Sequence, residues 1–168
     1  MSGFSPEWLA LREPYDAAAR SEALVETLAA RLPPASTEPL EIVDLGAGAG
    51  ANFRYLAPRL RRPQRWRLVD HDAVLLDSAR ASILAWASQR GVTCDTGGEA
   101  LELRGGGVHC GVRFEHRDLR DLGSIDLPEA GLVTAAALLD LVSSEWLATL
   151  AARCRAARAI VYFALTYD

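Results

Sequence analysis

The segment Asp44-Leu45-Gly46-Ala47-Gly48-Ala49-Gly50 has the composition of a ligand-binding turn. It continues the short apolar run that starts at Leu40, which predicts a β-strand leading directly into the glycines. A small strand-to-helix turn exposes backbone N–H groups and the positive end of the following helix dipole. Glycine and alanine also let a ligand approach the main chain closely. The loop therefore predicts a nucleotide site, and its spacing Gly46-x-Gly48-x-x-Ala51 fits the dinucleotide fingerprint as well.

Three acidic residues at predicted strand ends narrow the choice of nucleotide. Asp44 lies two positions before the first glycine, where it would repel a pyrophosphate and attract a ligand that bears a sulfonium and an ammonium group. Asp70 ends the second predicted strand, where a carboxylate can accept hydrogen bonds from both ribose hydroxyls of either kind of nucleotide. Asp118 follows the third predicted strand and is either a nucleotide ligand or a solvated turn residue.

Four segments, taken in order, resemble the successive signature segments of class I S-adenosylmethionine (SAM)-dependent methyltransferases. They are Leu40–Ala51, Leu68–Asp72, Phe114–Leu119 and Leu132–Ser143, within a resemblance that covers roughly residues 14–168. The resemblance implies a Rossmann-like α/β methyltransferase fold, with a mainly parallel sheet of at least five strands flanked by helices. Residues 135–142 are also similar to the matching segment of methyltransferases that act on small molecules. They lack an Asn-Pro-Pro-Tyr type motif, which disfavours an adenine or glutamine nitrogen as the acceptor.

The same resemblance implies SAM as the cofactor and assigns a role to each segment. The glycine loop would line the methionine part, the end of strand two the ribose, and the turn after strand three the adenine, while Ala136 would stand near the transferred methyl. The implied cofactor-binding residues are Asp44, Gly46, Ala47, Gly48, Asp70, His71, Asp118, Leu119 and Ala136. Alternatively, His71 is a surface residue that does not contact the cofactor.

For two further candidate site assignments, an ordinary structural role is at least as well supported as a functional one. Arg12 or Tyr15 could reach the cofactor carboxylate, although helical surface residues usually have no such role. Asp140 lies just past strand four, where ligands of open α/β sheets approach, and is either a base or substrate contact or a cap for the next helix. No catalytic residue is assigned, because methyl transfer from a sulfonium depends mainly on positioning.

The elements that position these residues follow from hydrophobic periodicity and turn residues. Residues 1–35 form a predicted helical region, and residues 36–168 form the predicted SAM-binding domain. Five strands are expected, at 40–45, 66–69, 112–115, 131–138 and 159–165, with helices at 52–60, from Asp72 to Gly91 and from Ser143 or Ser144 onward. Residues 92–111 are glycine-rich and predict a hairpin or a flexible insertion.

The last predicted strand raises a question of completeness. The methyltransferase family usually adds two antiparallel strands after strand five, so the sequence resembles either a truncated fragment or an unusually short member. An apolar edge at Ile160–Leu165 would then be open to pairing with a second copy of the chain. We therefore expect a homodimer through this edge.

Composition excludes some functions. The net charge is −4 and all 18 basic residues are arginine, so nucleic acid is an unlikely partner, although six arginines between Arg54 and Arg67 could bind phosphate if they are not simply a solvated surface. Cys94, Cys110 and Cys154 fit neither a disulfide framework nor a zinc motif, so no metal is expected. No apolar run could cross a membrane and no signal peptide is recognisable, so we expect a cytoplasmic protein.

The alternatives to a methyltransferase are a non-catalytic SAM-binding scaffold and an NAD(P)-dependent oxidoreductase.

Overall fold

The computed structural model describes residues 5–34 and 37–165. Within them the chain forms one seven-stranded sheet in the order β3-β4-β5-β2-β1-β6-β7. The strands are β1 (Leu40–Leu45), β2 (Gln64–Asp70), β3 (Thr93–Asp95), β4 (Leu101–Gly105), β5 (Val108–His116), β6 (Leu132–Ala136) and β7 (Ile160–Ala164). The helices are α1 (Pro6–Ala19), α2 (Glu22–Arg31), α3 (Ala51–Leu60), α4 (Ala73–Gln89) and α5 (Ser144–Ala156), with a short 3₁₀ turn at Leu122–Ser124.

The five predicted strands are all present and run parallel, in the order β5-β2-β1-β6-β7. This order places β1 in the centre, with β2 on one side and β6 on the other. The carboxyl ends of all five strands therefore lie along one edge of the sheet, where open α/β sheets bind their ligands. The Rossmann-like α/β fold predicted from the sequence is confirmed.

Residues 92–111 form the predicted hairpin region. β3 and β4 pair antiparallel, and β4 pairs antiparallel with the first half of β5 around the tight turn at Gly106 and Gly107. The two strands added to the five predicted ones, β3 and β4, thus come from the middle of the chain. They extend the sheet beyond β5, at the edge opposite to β7. The predicted strand at 112–115 is longer in the structure, as β5, because residues 108–112 pair with β4 and residues 110–116 pair with β2.

Short polar residues cap four of the five helices described, including those predicted at Asp72 and at Ser143 or Ser144. Ser5, Ser21, Asp72 and Ser143 each accept a hydrogen bond from a backbone N–H of the first turn of the helix that follows. The predicted N-terminal helical region is two helices, because Ser21 starts a new one directly after Arg20. The boundary predicted at residues 35 and 36 falls outside the described residues, so the division into two domains stays a prediction.

The sheet separates two apolar clusters. Helices α2, α3 and α4 pack on one face, against residues such as Ile42, Trp66 and Leu132. Helix α5 and the 3₁₀ turn pack on the other, against Val43 and Val133. Because side chains alternate along a strand, Asp44 and Thr134 point to the α3 side. This alternation determines which helix can reach the end of β1.

Strand β7 is the outer strand at its end of the described sheet, where it pairs with β6. Its Val161 side chain is 49% exposed, whereas β6 is almost wholly buried. An exposed apolar edge of this kind can pair with another strand. Self-association through it stays a prediction. None of the helices in the described part of the chain has the length and apolar content needed to span a membrane.

Candidate functional site

The glycine loop joins the central strand β1 to α3 at the carboxyl edge of the sheet. Gly46, Gly48 and Gly50 have φ values of +66°, +51° and +79°, in the left-handed region that favours glycine. Gly50 occupies the N-cap position of α3 and has no side chain to cap the helix. The loop thus exposes its surface to the cleft above it, as the sequence predicts for a ligand-binding turn.

Asp44 lies beneath this loop and is fully buried. Its Oδ1 accepts a hydrogen bond of 2.7 Å from Asn52 Nδ2, and the same amide nitrogen donates to Thr134 Oγ1 at 3.0 Å. Its Oδ2 has no hydrogen-bond partner. Burial raises the pKa of Asp44 to about 7, against the smaller opposing effects of the Asn52 hydrogen bond and of Arg20. The site therefore holds a buried carboxyl group, one of whose oxygens receives no hydrogen bond.

Asp70 ends β2 beside the glycine loop and fixes the position of that loop. Its Oδ2 accepts from the Gly48 backbone N–H at 2.8 Å, and its Oδ1 accepts from the Asp72 N–H at 2.9 Å. The Nδ1 of the exposed His71 lies 3.2 Å from the same Oδ1. Asp70 is only 4% exposed, but a carboxylate oxygen can accept two hydrogen bonds, so Oδ2, which accepts one, retains acceptor capacity.

Asp118 and Leu119 lie just beyond β5, next to Asp70 along the same sheet edge. The Asp118 carboxylate is exposed, and hydrogen bonds from the Arg120 side chain and backbone lower its pKa to about 2. Leu119 is buried, and its carbonyl accepts a hydrogen bond of 2.7 Å from Trp146 Nε1 of α5. Trp146 thereby joins α5 to the turn for which the family resemblance implies an adenine contact.

A cleft of about 460 Å³ lies between α1 and the glycine loop. It is lined by Gly46, Ala47, Gly48 and Ala136 of the predicted set, and by Glu13, Arg20 and Asn52, among others. Asp44 lies behind this wall, whereas Asp70, His71, Asp118 and Leu119 lie along the same strand edge but outside the cleft. The nine predicted residues thus share one edge of the sheet, and four of them line the cleft.

Helix α1 closes one side of the cleft. None of its residues is buried, but Ala17 packs against the apolar cluster on the α3 side of the sheet, and polar side chains add further contacts. Glu13 accepts from Arg54 Nε at 2.9 Å and also from Arg54 Nη2, while Arg54 Nη1 donates to the Ala49 carbonyl of the loop. Arg20 Nη1 donates to Asn52 Oδ1 at 2.6 Å. These ionic and amide contacts hold α1 over the loop.

Two residues of α1 with a predicted role do not reach the cleft. Tyr15 is 79% exposed, and Arg12 lies near Asp16 one turn along its own helix. Glu13 and Arg20 line the cleft instead, and the helix pattern did not single them out. The sequence analysis also did not identify Asn52 as a site residue. Its position two residues after Gly50, in the first turn of the predicted helix, was a signal that its amide lies at the loop.

Asp140 is exposed, and Ser143 rather than Asp140 caps α5. The capping alternative for Asp140 is therefore wrong, and its role as a base or substrate contact stays a prediction.

Of the arginines between Arg54 and Arg67, Arg54 and Arg59 line the cleft, and three others make contacts elsewhere in the chain. Arg65 pairs with Glu41, Arg67 with Glu115, and Arg62 donates to the carbonyl of Pro33. Because these contacts lie within the chain, they support the structural interpretation over a phosphate site. The three cysteines are free, and no group of three candidate ligands that could hold a metal lies in residues 5–34 and 37–165.

No family model and no curated protein matches the chain, but solved structures do. A candidate SAM-dependent methyltransferase of Methanococcus maripaludis matches 99% of this chain and 68% of its own, with a TM-score of 0.58 at 13% identity. The apo form of the SAM-dependent methyltransferase SibL matches 93% of this chain and 36% of its own, with a TM-score of 0.52 at 19% identity. An O-methyltransferase family protein of Burkholderia thailandensis matches 84% of this chain and 33% of its own, with a TM-score of 0.51 at 17% identity.

These structural likenesses show that the fold is the Rossmann-like fold of SAM-dependent methyltransferases. The chain spans about a third of the length of SibL and of the Burkholderia protein. The activity and the acceptor of this chain are therefore matters of proposal.

Proposed function

We propose that the chain binds SAM and transfers its methyl group to a small-molecule acceptor. The observation that supports this most is the buried Asp44 behind the glycine loop, with its unpartnered Oδ2. A carboxyl group in this position favours a cationic ligand, because a positive group supplies the attraction that solvent no longer provides. SAM carries both a sulfonium and an ammonium group.

The hydrogen bonds of the loop argue against an NAD(P)-dependent oxidoreductase. A dinucleotide loop presents its backbone N–H groups to a pyrophosphate. Here the N–H groups of Gly46 and Ala47 donate to the Val69 carbonyl, and that of Gly48 donates to the Asp70 carboxylate. A pyrophosphate at this loop would compete for these donors beside two carboxyl groups.

The described residues have the chemistry to hold SAM in this orientation. Asp44 would accept from the ammonium group, the glycine loop would contact the methionine part, and Asp70 with His71 would bind the ribose. Asp118 and the Leu119 N–H would face the adenine, and Ala136 would leave room at the methyl. When bound, SAM supplies an electrophilic methyl carbon on a sulfonium. The protein then acts by orienting the acceptor and excluding water, and α1 closes the cleft for that purpose.

The acceptor is proposed to be a small molecule. The net charge of −4 and the internal pairing of the arginines support this over a nucleic acid. The cytoplasmic location expected from the sequence stays a prediction, and so does the homodimer through β7. Light scattering of the purified chain at high concentration tests the dimer, and a monomer would contradict it.

Binding and transfer are tested separately. Isothermal titration with S-adenosylhomocysteine (SAH) and with NADH should show binding of SAH alone, and binding of NADH alone would overturn the proposal. SAM with a labelled methyl group, incubated with a fractionated metabolite extract, should then yield a labelled product. SAH binding without transfer to any fraction would favour the non-catalytic SAM-binding scaffold. Asp44→Asn, which cannot ionise when a cation binds, serves as the binding control.

A further inference from the structure

Building on the proposed function, we infer that the methyl acceptor is an anion and that Arg59 binds its charged group. This group is a carboxylate or a phosphate, and it lies in the cleft away from the atom that accepts the methyl. Arg59 is suited to this role by the charges that line the cleft, by its own contacts and by its distance from the glycine loop.

The described lining of the cleft has an excess of positive charge, although the net charge of the chain is −4. Its charged side chains are those of two acids and four arginines, namely Glu13, Asp16, Arg20, Arg54, Arg59 and Arg90. Glu13 is already paired with Arg54, and Asp16 lies 3.4 Å from Arg12 of its own helix. The other three arginines of the lining make no ion pair with a carboxylate in the described part of the chain. A cleft with this balance attracts an anionic ligand.

Arg59 has donors that no group of the described chain uses. Its side chain is exposed, its Nη1 donates to the Tyr55 carbonyl at 2.7 Å, and its Cζ lies 3.9 Å from the centre of the Tyr55 ring. Because Tyr55 is buried, its ring and carbonyl hold the guanidinium in place. The Nε and Nη2 atoms have no hydrogen-bond partner within residues 5–34 and 37–165. These planar donors suit a carboxylate or a phosphate.

A second cation lies over the same ring. Arg20 Cζ is 4.5 Å from the centre of the Tyr55 ring, so the two guanidinium carbons can be no farther apart than these two ring distances combined. Tyr162 of the edge strand β7 also lies near both arginines, which oppose the rise in its pKa that burial causes. Two like charges this close repel one another, and an anion beside them relieves the repulsion. Arg20 donates to Asn52, so Arg59 makes the contact with the acceptor and Arg20 adds to the attraction.

The position of Arg59 separates the anionic group from the point of methyl transfer. Arg59 lies two turns along α3 from Asn52, which corresponds to roughly 10 Å along the helix axis. The glycine loop is at the start of α3, and Ala136, near which the methyl is proposed to stand, lines the cleft together with that loop. The group bound by Arg59 is therefore not the group that is methylated, and it stays charged in the product.

Binding of small anions to the SAH complex tests this subsite without turnover. The probes are benzoate and phenyl phosphate, with benzamide as the neutral match of benzoate. NMR titration of the SAH-bound chain should show that at least one of the two anions binds about 10-fold or more tightly than benzamide, as expected for charge-assisted hydrogen bonds. Arg59→Ala should remove this preference. Arg59→Lys should keep part of it, since lysine keeps the charge but loses the planar fork.

Arg104→Ala is the matched control. Arg104 is exposed on β4, toward the end of the sheet opposite to β7, and is not part of the cleft lining. Its removal changes the net charge by the same amount, so the anion preference should be unchanged. The cofactor ligands are SAH and 5′-methylthioadenosine, which has the same thioether nucleoside without the amino-acid end. Each should bind Arg59→Ala within about twofold of its affinity for the unmodified chain.

The labelled product of the transfer assay gives a second readout. Because the anionic group is not the methylated one, the product should be retained by an anion exchanger. Arg59→Ala should raise the KM for the acceptor by about 10-fold or more and change kcat little, since the lost contact lies away from the reacting atoms.

Three results would overturn the inference while leaving the proposed function intact. One is an anion preference that is absent from the unmodified SAH complex or persists in Arg59→Ala. Another is a loss of SAH affinity in Arg59→Ala, which assigns Arg59 to the cofactor if 5′-methylthioadenosine is unaffected and to the packing of the cleft if it weakens as well. The third is a labelled product that the anion exchanger does not retain. If the unmodified chain does not bind SAH, the proposed function itself fails.

Discussion

Replacement of Asp44 by asparagine should change how stability depends on pH. Asp44 is fully buried, and burial raises its pKa from 3.8 to about 7. Between these two values the folded protein keeps a proton on Asp44, whereas the unfolded chain has lost it. The unfolded state then binds fewer protons, so the free energy of unfolding falls as the pH rises through this range.

The magnitude follows from the size of the shift. One proton of difference lowers the free energy of unfolding by about 1.4 kcal/mol per pH unit. Over the interval from 3.8 to about 7, the buried carboxyl group costs at most roughly 4 kcal/mol, which is reached above pH 7. Asparagine cannot ionise, so Asp44→Asn removes this slope. Its buried amide nitrogen lacks a partner where Oδ2 now lies, but that cost does not vary with pH.

Urea unfolding of both proteins at pH 5, 6, 7 and 8 measures the effect. The stability of Asp44→Asn minus that of the unmodified chain should rise by about 1.4 kcal/mol per unit up to pH 7 and then level off. Asp77→Asn, on the exposed side of α4, is the control and should give a flat difference. Parallel stability curves for Asp44→Asn and the unmodified chain would refute the idea that Asp44 is protonated in the folded protein.

Three further substitutions test how the site is positioned. Gly131→Ala should lower the free energy of unfolding by about 2 kcal/mol or more, because a Cβ there would stand 2.5 Å from a backbone oxygen of β1. Trp146→Phe should cost about 1 kcal/mol through the lost hydrogen bond to Leu119 and should weaken SAH binding in a titration. Glu13→Gln should cost about 1–3 kcal/mol, because Arg54 is largely buried and loses its counter-ion, and amide exchange in α1 should accelerate.

Each of these has a matched control or a contradicting result. Gly98→Ala should be neutral, since the nearest atoms to its Cβ would lie 4.0 Å away. If Trp146→Phe weakens 5′-methylthioadenosine and SAH to different extents, its role is not confined to the adenine turn. If α1 exchanges at the same rate in Glu13→Gln and in the unmodified chain, the Glu13–Arg54 pair does not hold the helix closed.

Much of the fold was predictable because its signals are local. The apolar runs of β1 and β6 indicate strands buried on both faces, and the periodic apolar residues of α4 indicate a helix packed on the sheet. Asp72 and Ser143 begin helices by accepting backbone N–H groups a few residues ahead, which a short stretch of sequence already specifies.

The candidate site was predictable in part, for the same reason. The glycine loop and Asp70 follow strands whose parallel order brings their ends together, so positions along the chain suffice to group them. The α1 residues were not predictable in this way. Helical periodicity shows which face of α1 is apolar, but it does not single out Glu13 and Arg20, whose polar side chains contact α3. Their partners lie on α3, and the sequence does not specify how α1 packs across it.

The sequence by itself determined the five parallel strands, the starts of α4 and α5 and the glycine turn, because each depends on neighbours within a few positions. Only the tertiary structure decided that Asn52 joins Arg20, 32 positions away, to Asp44, and that it also contacts Thr134, 82 positions away. It also decided that Asp44 is fully buried and keeps one oxygen without a partner. Burial and hydrogen-bond satisfaction depend on every element that packs around a group, so they follow from the assembled fold and not from local pattern.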